Sequence, residues 1–198
     1  MGKAEHIVRS AKGDGASNDE VMTPPYLLET IERVLGPIGL DPCSHPKSVV
    51  RSTTAIMLPK YASAVAQFAR RTVYADGLQV VWRGHGLVFS NPPYSSPLME
   101  LFLTKALTDG DENVLLVPSR TGNVYWPKTA GLADVEVRLP RVKHLGEKTH
   151  APFAQWLLYF GDRVEEAMGL GVLGDARVHP RHLRYAKSPP WRLTQGRP

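Results

Sequence analysis

The residues with the most chemical content in this chain are the tetrapeptide Asn91-Pro92-Pro93-Tyr94. Two successive prolines fix φ at both positions and remove two backbone donors. The residue before each proline is also kept out of the helical region. The result is a stiff turn whose carbonyls point outward without a local partner. Asn91 adds a neutral amide oxygen, and Tyr94 adds a flat aromatic surface. A rigid pair of acceptors beside a stacking plane suits a planar group that carries an NH2. The alternative is a proline turn with no chemical role. Against it stands the context: Leu87-Val88-Phe89 is a buried-strand pattern ahead of the motif. Behind it, Ser95-Ser96-Pro97 opens a helix with Leu98, Leu101, Phe102 and Ala106 on one face and Gly110 at its close.

The elements that must carry this turn can be read from periodicity. Thr23 with Pro24 and Pro25 forms a helix start, a hydroxyl cap with proline just inside. Tyr26, Leu27, Ile31, Val34 and Leu35 follow at helical spacing, and Gly36 suits the stop. Ile38 to Leu40 reads as a strand that ends in Asp41-Pro42-Cys43-Ser44. Thr53 to Leu58 reads as a strand, Tyr61 to Arg70 as a helix or an irregular crossover, and Val73 to Ala75 as a short strand before Asp76-Gly77. Asn113 to Pro118 is a continuous apolar run typical of a central parallel strand. Val135 to Leu139 alternates, and Gln155 to Phe160 reads as the final strand. This order describes an α/β sheet, mostly parallel with one antiparallel strand near the C-terminal end and helices on both faces. Ligands of such sheets sit beyond the carboxyl ends of the strands, where both Asp41-Pro42 and Asn91-Pro92 fall. A plain turn residue ahead of Pro42 is the other reading of Asp41.

Composition excludes several function classes. With 198 residues, 42% hydrophobic and 22% charged, the chain suits one globular domain. No apolar run approaches the roughly 18 residues that span a bilayer, and the N-terminal segment has no apolar h-region, so no membrane partner and a cytoplasmic setting are expected. Cys43 is the single cysteine, which excludes a disulfide framework and a Cys-rich zinc site. It reads as a small buried hydrophobe, and no paired histidine supports a catalytic thiol. Of seven histidines, only His179 and His182 are closely spaced, without a third ligand, so no metal is expected. Tyr125 and Trp126 read as core or rim packing.

Charge is unevenly placed. The net charge is +5, yet residues 177–198 hold six bases (Arg177, Arg181, Arg184, Lys187, Arg192, Arg197) and no acid. The body of the chain holds 18 bases and 19 acids. Such a segment is either an electrostatic footprint for phosphate or a solvated tail. Tyr185 and Trp191 stand among its bases. The expected organisation is a flexible segment over 1–19, one domain over 20–176, and a basic, Pro-rich tail over 177–198.

Asn91-Pro92-Pro93-Tyr94 resembles the catalytic motif of methyltransferases that use S-adenosylmethionine on amino groups conjugated to a π-system. The wider chain resembles the phage and prophage type of DNA N6-adenine methyltransferase. The similarity is carried by DEVMTPPYLLETI, GLDPCS, ADGLQVVW, LVFSNPPYSSP, VLLVPSRTGNVYW, VRLPRVKHLG and APFAQWLLYF, spread over residues 19–160. Two departures are visible: DPCSHP has no glycine where most such enzymes have a Gly-rich loop, and Val21 stands where the family has tryptophan.

The resemblance implies a Rossmann-like class I methyltransferase sheet, S-adenosylmethionine as cofactor, and duplex DNA with a flipped-out adenine as partner. It implies catalytic roles for Asn91, Pro92 and Tyr94, with the amine held by the Asn91 oxygen and the Pro92 carbonyl. It places Thr23, Pro24, Asp41, Pro42, Cys43, Ser44, Asp76 and Asn91 at the cofactor. Pro93, Tyr94, Ser95 and Arg120 are placed at the substrate. With so short a chain, the loops at 119–133 and 143–152 are the places for sequence reading. Other acceptors remain open: an RNA adenine, a protein glutamine, or cytosine N4. A non-catalytic nucleic-acid-binding protein of the same fold is the reading from another class.

Overall fold

The computed structural model describes residues 22–179. The segment over 1–19, and the tail beyond His179 with Tyr185 and Trp191, lie outside the described residues. Helix α1 spans Pro25–Leu35 and is followed by strands β1 (Ile38–Ser44), β2 (Thr54–Met57), β3 (Arg71–Tyr74) and β4 (Leu87–Ser90). Helix α2 (Leu98–Thr108) leads into β5 (Glu112–Pro118), β6 (Val135–Leu139) and β7 (Gln155–Phe160). The short helix α3 (Val164–Ala167) precedes β8 (Asp175–Val178). The eight strands form one sheet in the order β3-β2-β1-β4-β5-β7-β6-β8.

Strands β3, β2, β1, β4 and β5 pair in parallel. Strand β7 runs antiparallel to both β5 and β6, and β8 runs antiparallel to β6. The mostly parallel sheet expected from the sequence is therefore present, with two reversed strands rather than one. Gln155–Phe160 is not the last strand. Asp175–Val178 is short and half-exposed, too brief to show a period, and Arg177 belongs to it.

Side-chain alternation sorts the core into two layers. In β5, Val114 and Leu116 face the layer of α1 and α3, with Leu27, Ile31, Leu35, Phe89 and Ala167. Leu115 and Val117 face the layer of α2, with Met99, Phe102, Leu103 and Val88. Strands buried on both faces explain the unbroken apolar runs in the sequence. Helix α1 stops where expected. Gly36 has φ 90, a conformation that favours glycine, and its amide bonds to the Glu32 carbonyl.

One local expectation is corrected, and of the two readings of residues 61–70 the irregular crossover is the one present. Thr23 does not cap α1; Pro24 occupies the cap position in an extended conformation, Pro25 opens the helix, and no side chain caps it. Proline supplies the helix-ready φ and has no amide to satisfy, so no hydroxyl is needed. Residues 61–70 form no α-helix. After a 3-10 turn at Pro59–Tyr61, the Ala66 amide bonds to Thr72 Oγ1 and the Arg70 amide to the Ser52 carbonyl. Amides committed to the neighbouring chain cannot feed a helix, and Val65 and Phe68 remain exposed.

Leu116 is fully buried at the centre of the α1 layer. Leu116→Ala is expected to lower stability by about 2–5 kcal/mol, read by urea unfolding at unchanged m.

Candidate active site at the carboxyl ends of β1 and β4

Strands β1 and β4 are direct neighbours, with Leu40 opposite Val88. Their carboxyl ends bring Asp41-Pro42-Cys43-Ser44 alongside Asn91-Pro92-Pro93-Tyr94. The two segments touch through the Cys43 thiol, which donates to Ser90 Oγ at 3.7 Å. Burial pushes the Cys43 thiol pKa far up, so Cys43 acts as a small neutral side chain between the two strands.

Asp41 is buried inside β1, with 3% exposure. The Cys43 amide donates to its Oδ1 and the Ser48 hydroxyl to its Oδ2, each at 3.3 Å. Burial raises its pKa to about 6, partly offset by Ser44, the Cys43 amide and Ser48. No lysine or arginine among the described residues forms a salt bridge with it. The nearby Ser44 Oγ is buried and meets no partner in hydrogen-bond geometry among the described residues. A buried carboxylate that pairs with no lysine or arginine among the described residues is equipped to receive a cation that carries N–H groups.

Asp76 lies just past β3. Its Oδ1 accepts from the Leu78 amide at 2.9 Å, which shapes the turn. That turn is held against β1 by Gly77, where a Cβ would lie 1.7 Å from the Pro42 carbonyl oxygen. Only a glycine allows this approach, and it brings Asp76 toward the Asp41 segment. Asp76 is also the one acid in the stretches that follow β2 and β3 before the next strand, residues 58–70 and 75–86.

Asn91 is half-buried rather than sealed in the core, Pro92 is buried, and Pro93 and Ser95 are half-buried. The Ser95 carbonyl accepts from the Met99 amide at the start of α2. The Tyr94 ring is not an open platform. It is 4% exposed and packs edge-on against Phe153, with ring centroids 5.8 Å apart. Beside it lies a cleft of about 110 Å³ lined by Tyr94, His144, Glu147, His150, Pro152 and Phe153, among others. Arg120 Nη1 donates to the Tyr94 carbonyl at 2.8 Å, so Arg120 holds the turn. Tyr125 and Trp126 are buried, and Trp126 packs edge-on against Trp156, which agrees with a packing role.

Several residues of the site were not visible as such in the sequence. The Tyr94 hydroxyl donates to Asn91 Oδ1 at 3.0 Å and accepts from Gln155 Nε2 at 2.6 Å. Gln155 Nε2 lies 2.9 Å from His144 Nε2, and His144 Nδ1 lies 3.2 Å from the Met22 carbonyl. Met22 forms an antiparallel bridge with Leu145, so the segment carrying Thr23 and Pro24 folds against the β6–β7 loop. Thr23 itself is buried. The one available cue for Gln155 was a single amide opening the otherwise apolar run of β7.

No protein-family model matches the sequence, and no curated protein matches it. Solved structures do share its architecture. A protein of Pyrococcus horikoshii assigned as an RNA methyltransferase aligns with TM-score 0.52 at 13% identity, over 69% of this chain and 81% of its own. The fold is of the methyltransferase type. A dimethyladenosine transferase from Plasmodium falciparum gives TM-score 0.44 at 11% identity, over 75% and 65% of the two chains. An Escherichia coli protein assigned as a methyltransferase, yhhF, gives 0.44 at 17%, over 74% and 92%. At these identities the likeness is one of fold, and it rests on the first of the three. No helix among the described residues is long and apolar enough to cross a membrane.

Because burial raises the Asp41 pKa above its unfolded value near 3.9, ionised Asp41 opposes folding. Its contribution to stability is present below about pH 4 and is lost as pH rises through about 6. Asp41→Asn is therefore expected to be more stable than the parent at pH 8, by up to about 3 kcal/mol. Thermal midpoints measured from pH 4 to pH 8 should converge at the acid end.

Proposed function

We propose that this chain is an S-adenosylmethionine-dependent methyltransferase that modifies the exocyclic N6 amine of adenine in DNA. The observation that carries the reading is the junction of a buried carboxylate, unpaired with any lysine or arginine among the described residues, with a proline-stiffened pair of neutral acceptors on adjacent strand ends. The residues present fit the cofactor. Asp41 and Ser44 suit its amino-acid end, Asp76 is the acid placed for the ribose hydroxyls, and Pro42, Cys43, Thr23 and Pro24 complete that side. When bound, the cofactor supplies an electrophilic methyl group on a sulfonium.

The chain's own task is to make a poor nucleophile competent. The adenine N6 lone pair is delocalised into the ring. Hydrogen bonds from its two N–H groups to Asn91 Oδ1 and the Pro92 carbonyl favour a more pyramidal nitrogen. No strong base is required, because the nitrogen becomes acidic only after methylation. Rate enhancement then comes from positioning and from acceptors already in place. The base must leave the stack to reach them, at a cost of a few kcal/mol. The cleft beside the Tyr94–Phe153 contact, lined also by His144, His150 and Pro152, is where we place an extruded ring, with Pro93 and Ser95 as the chain neighbours of Tyr94.

Charge supports a nucleic-acid partner. The loops that follow β5 and β6, residues 119–133 and 140–154, carry Arg120, Lys128, Arg141, Lys143 and Lys148 against one acid, Glu147. The opposite end of the sheet carries Asp109, Asp111, Glu112, Asp134, Asp162, Glu165 and Glu166, and although Arg83, Lys105 and Arg163 pair with Asp111, Asp109, Glu112 and Glu166 there, acids outnumber these bases. A polyanion is thus drawn to the end that holds Asn91 and repelled from the other.

The test is labelled methyl transfer to duplex DNA, structured RNA and protein in parallel, with product analysis that separates N6-methyladenine from N4-methylcytosine. The expected product is N6-methyladenine in DNA; transfer to RNA or protein alone would redirect the assignment. Asn91→Ala is expected to lower turnover at least about 100-fold while cofactor affinity stays within a few-fold. Deleting residues 180–198 removes Arg181, Arg184, Lys187, Arg192 and Arg197. If all five meet phosphates, the slope of log affinity against log salt should flatten by about 4. An unchanged slope would exclude the tail from DNA binding.

A further inference from the structure

The loop after β5 carries the most exposed large hydrophobic side chain among the described residues: Val124 is 89% exposed. A lone valine at a surface is ordinary in itself. Its place, the way it is held and the charge around it set this one apart.

Strand β5 is the parallel neighbour of β4, so the loop over 119–133 leaves the sheet on the side of Asn91-Pro92-Pro93-Tyr94. Arg120 joins the two directly through its bond to the Tyr94 carbonyl. Val124 stands four positions past Arg120, which limits the separation of their Cα atoms to about 14 Å. The chain on both sides of Val124 is hydrogen-bonded. The Asn123 amide donates to the Arg120 carbonyl and the Trp126 amide to the Asn123 carbonyl, each at 3.0 Å. The Asn123 side-chain amide donates to the Tyr125 hydroxyl at 3.0 Å, and the Tyr125 carbonyl accepts from Thr129 Oγ1 at 2.9 Å. Tyr125 and Trp126 then sink into the core layer that contains Tyr94. Val124 is thus an apolar tip on a braced mount.

The surroundings decide what such a tip can meet. Thr121, Gly122 and Asn123 precede it, and residues 119–133 hold Arg120 and Lys128 but no acid. The core of a protein interface is built from clustered apolar and aromatic side chains, which this loop does not offer. A duplex opened at one base offers a single apolar slot between two phosphate-bearing strands. One valine among bases matches that slot.

We propose that Val124 is a wedge that enters the base stack where the target adenine leaves it. Extrusion bares the faces of the two neighbouring bases. Apolar side chains insert between base steps, and in a gap already opened such a side chain restores contact to the bared faces. The span from Arg120 to Val124 is comparable with the roughly 12 Å width of the major groove. The loop therefore reaches the stack while Arg120 remains on the Tyr94 turn. This inference rests on the DNA reading above and extends it: the turn after β4 receives the base, and the loop after β5 fills its place.

The experiment uses the full chain and a DNA duplex whose methylated adenine has been located by the transfer assay. Single-turnover rates are compared for the parent, Val124→Ser and Val124→Leu on two versions of that duplex, one fully paired and one with an abasic site opposite the adenine. On the paired duplex, Val124→Ser should lose about 10- to 100-fold in rate, the factor that corresponds to burying one valine side chain. The abasic site weakens the hold on the adenine in advance, so there the same variant should come within about threefold of the parent. Val124→Leu keeps an apolar tip and should recover most of the loss. Thermal midpoints should match the parent's, because so exposed a side chain carries little of the fold. Parental rates for Val124→Ser on the paired duplex would overturn the wedge and leave the methyltransferase reading intact. An equal loss on both duplexes would do the same, since it marks a contact to DNA without insertion. Transfer by the parent to single strands, RNA or protein alone would overturn the wedge together with the assignment to duplex DNA. Absence of transfer to any acceptor would overturn the wedge and the methyltransferase reading together.

Discussion

The parallel pairing of β1 with β4 is the constraint on which the site depends. Parallel neighbours end on the same side of a sheet, so whatever follows each strand is delivered to one place. Here β1 delivers a carboxylate and β4 delivers a proline turn. The turn cannot fold back into regular structure, because its amides are missing, and the carboxylate cannot escape to solvent, because Pro42 and Ser44 are buried around it. Cys43 and Ser90 tie the two ends with one weak contact. Gly77 and Arg120 then hold the flanking turns, one against Pro42 and one against Tyr94.

Much of this was legible in the sequence, for definite physical reasons. Proline acts through its own covalent geometry, so Asn91-Pro92-Pro93-Tyr94 has the same stiffness in a string of letters as in the fold. The β5 run from Asn113 to Pro118 is apolar on both faces, and that pattern has one common explanation. Asp41 stood out because an acid closes an apolar strand. Gln155 and His144 were hidden because their importance is relational. An amide at a strand start and a histidine in a loop are ordinary until Tyr94 is brought against the amide from 61 residues away in the chain. Strand β8 and the turns over 61–70 were hidden for a related reason. Their backbone partners come from Val135–Arg138 in one case and from Ser52 and Thr72 in the other, and no local period announces them.

The structural likeness at 13% identity points the same way. A sheet of this order tolerates nearly complete exchange of its apolar residues, since volume and alternation are what each layer requires. Chemical identity is then concentrated in a few positions at strand ends. Such a chain can share its architecture with a methyltransferase-type protein while differing from it in the side chains its loops present.

The two margins of the sheet have a consequence of their own. An open sheet presents unpaired amides and carbonyls along its first and last strands, which invites a further strand from another molecule. Both margins here, β3 and β8, are only four residues long. Arg71 is exposed at the start of one, and Asp175 and Arg177 alternate outward along the other, paired with each other at 2.9 Å. An incoming strand would have to strip water from these charges in exchange for very few ladder bonds. Among the described residues the sheet is thereby ended chemically at both sides, so that an architecture without barrel closure stops at eight strands.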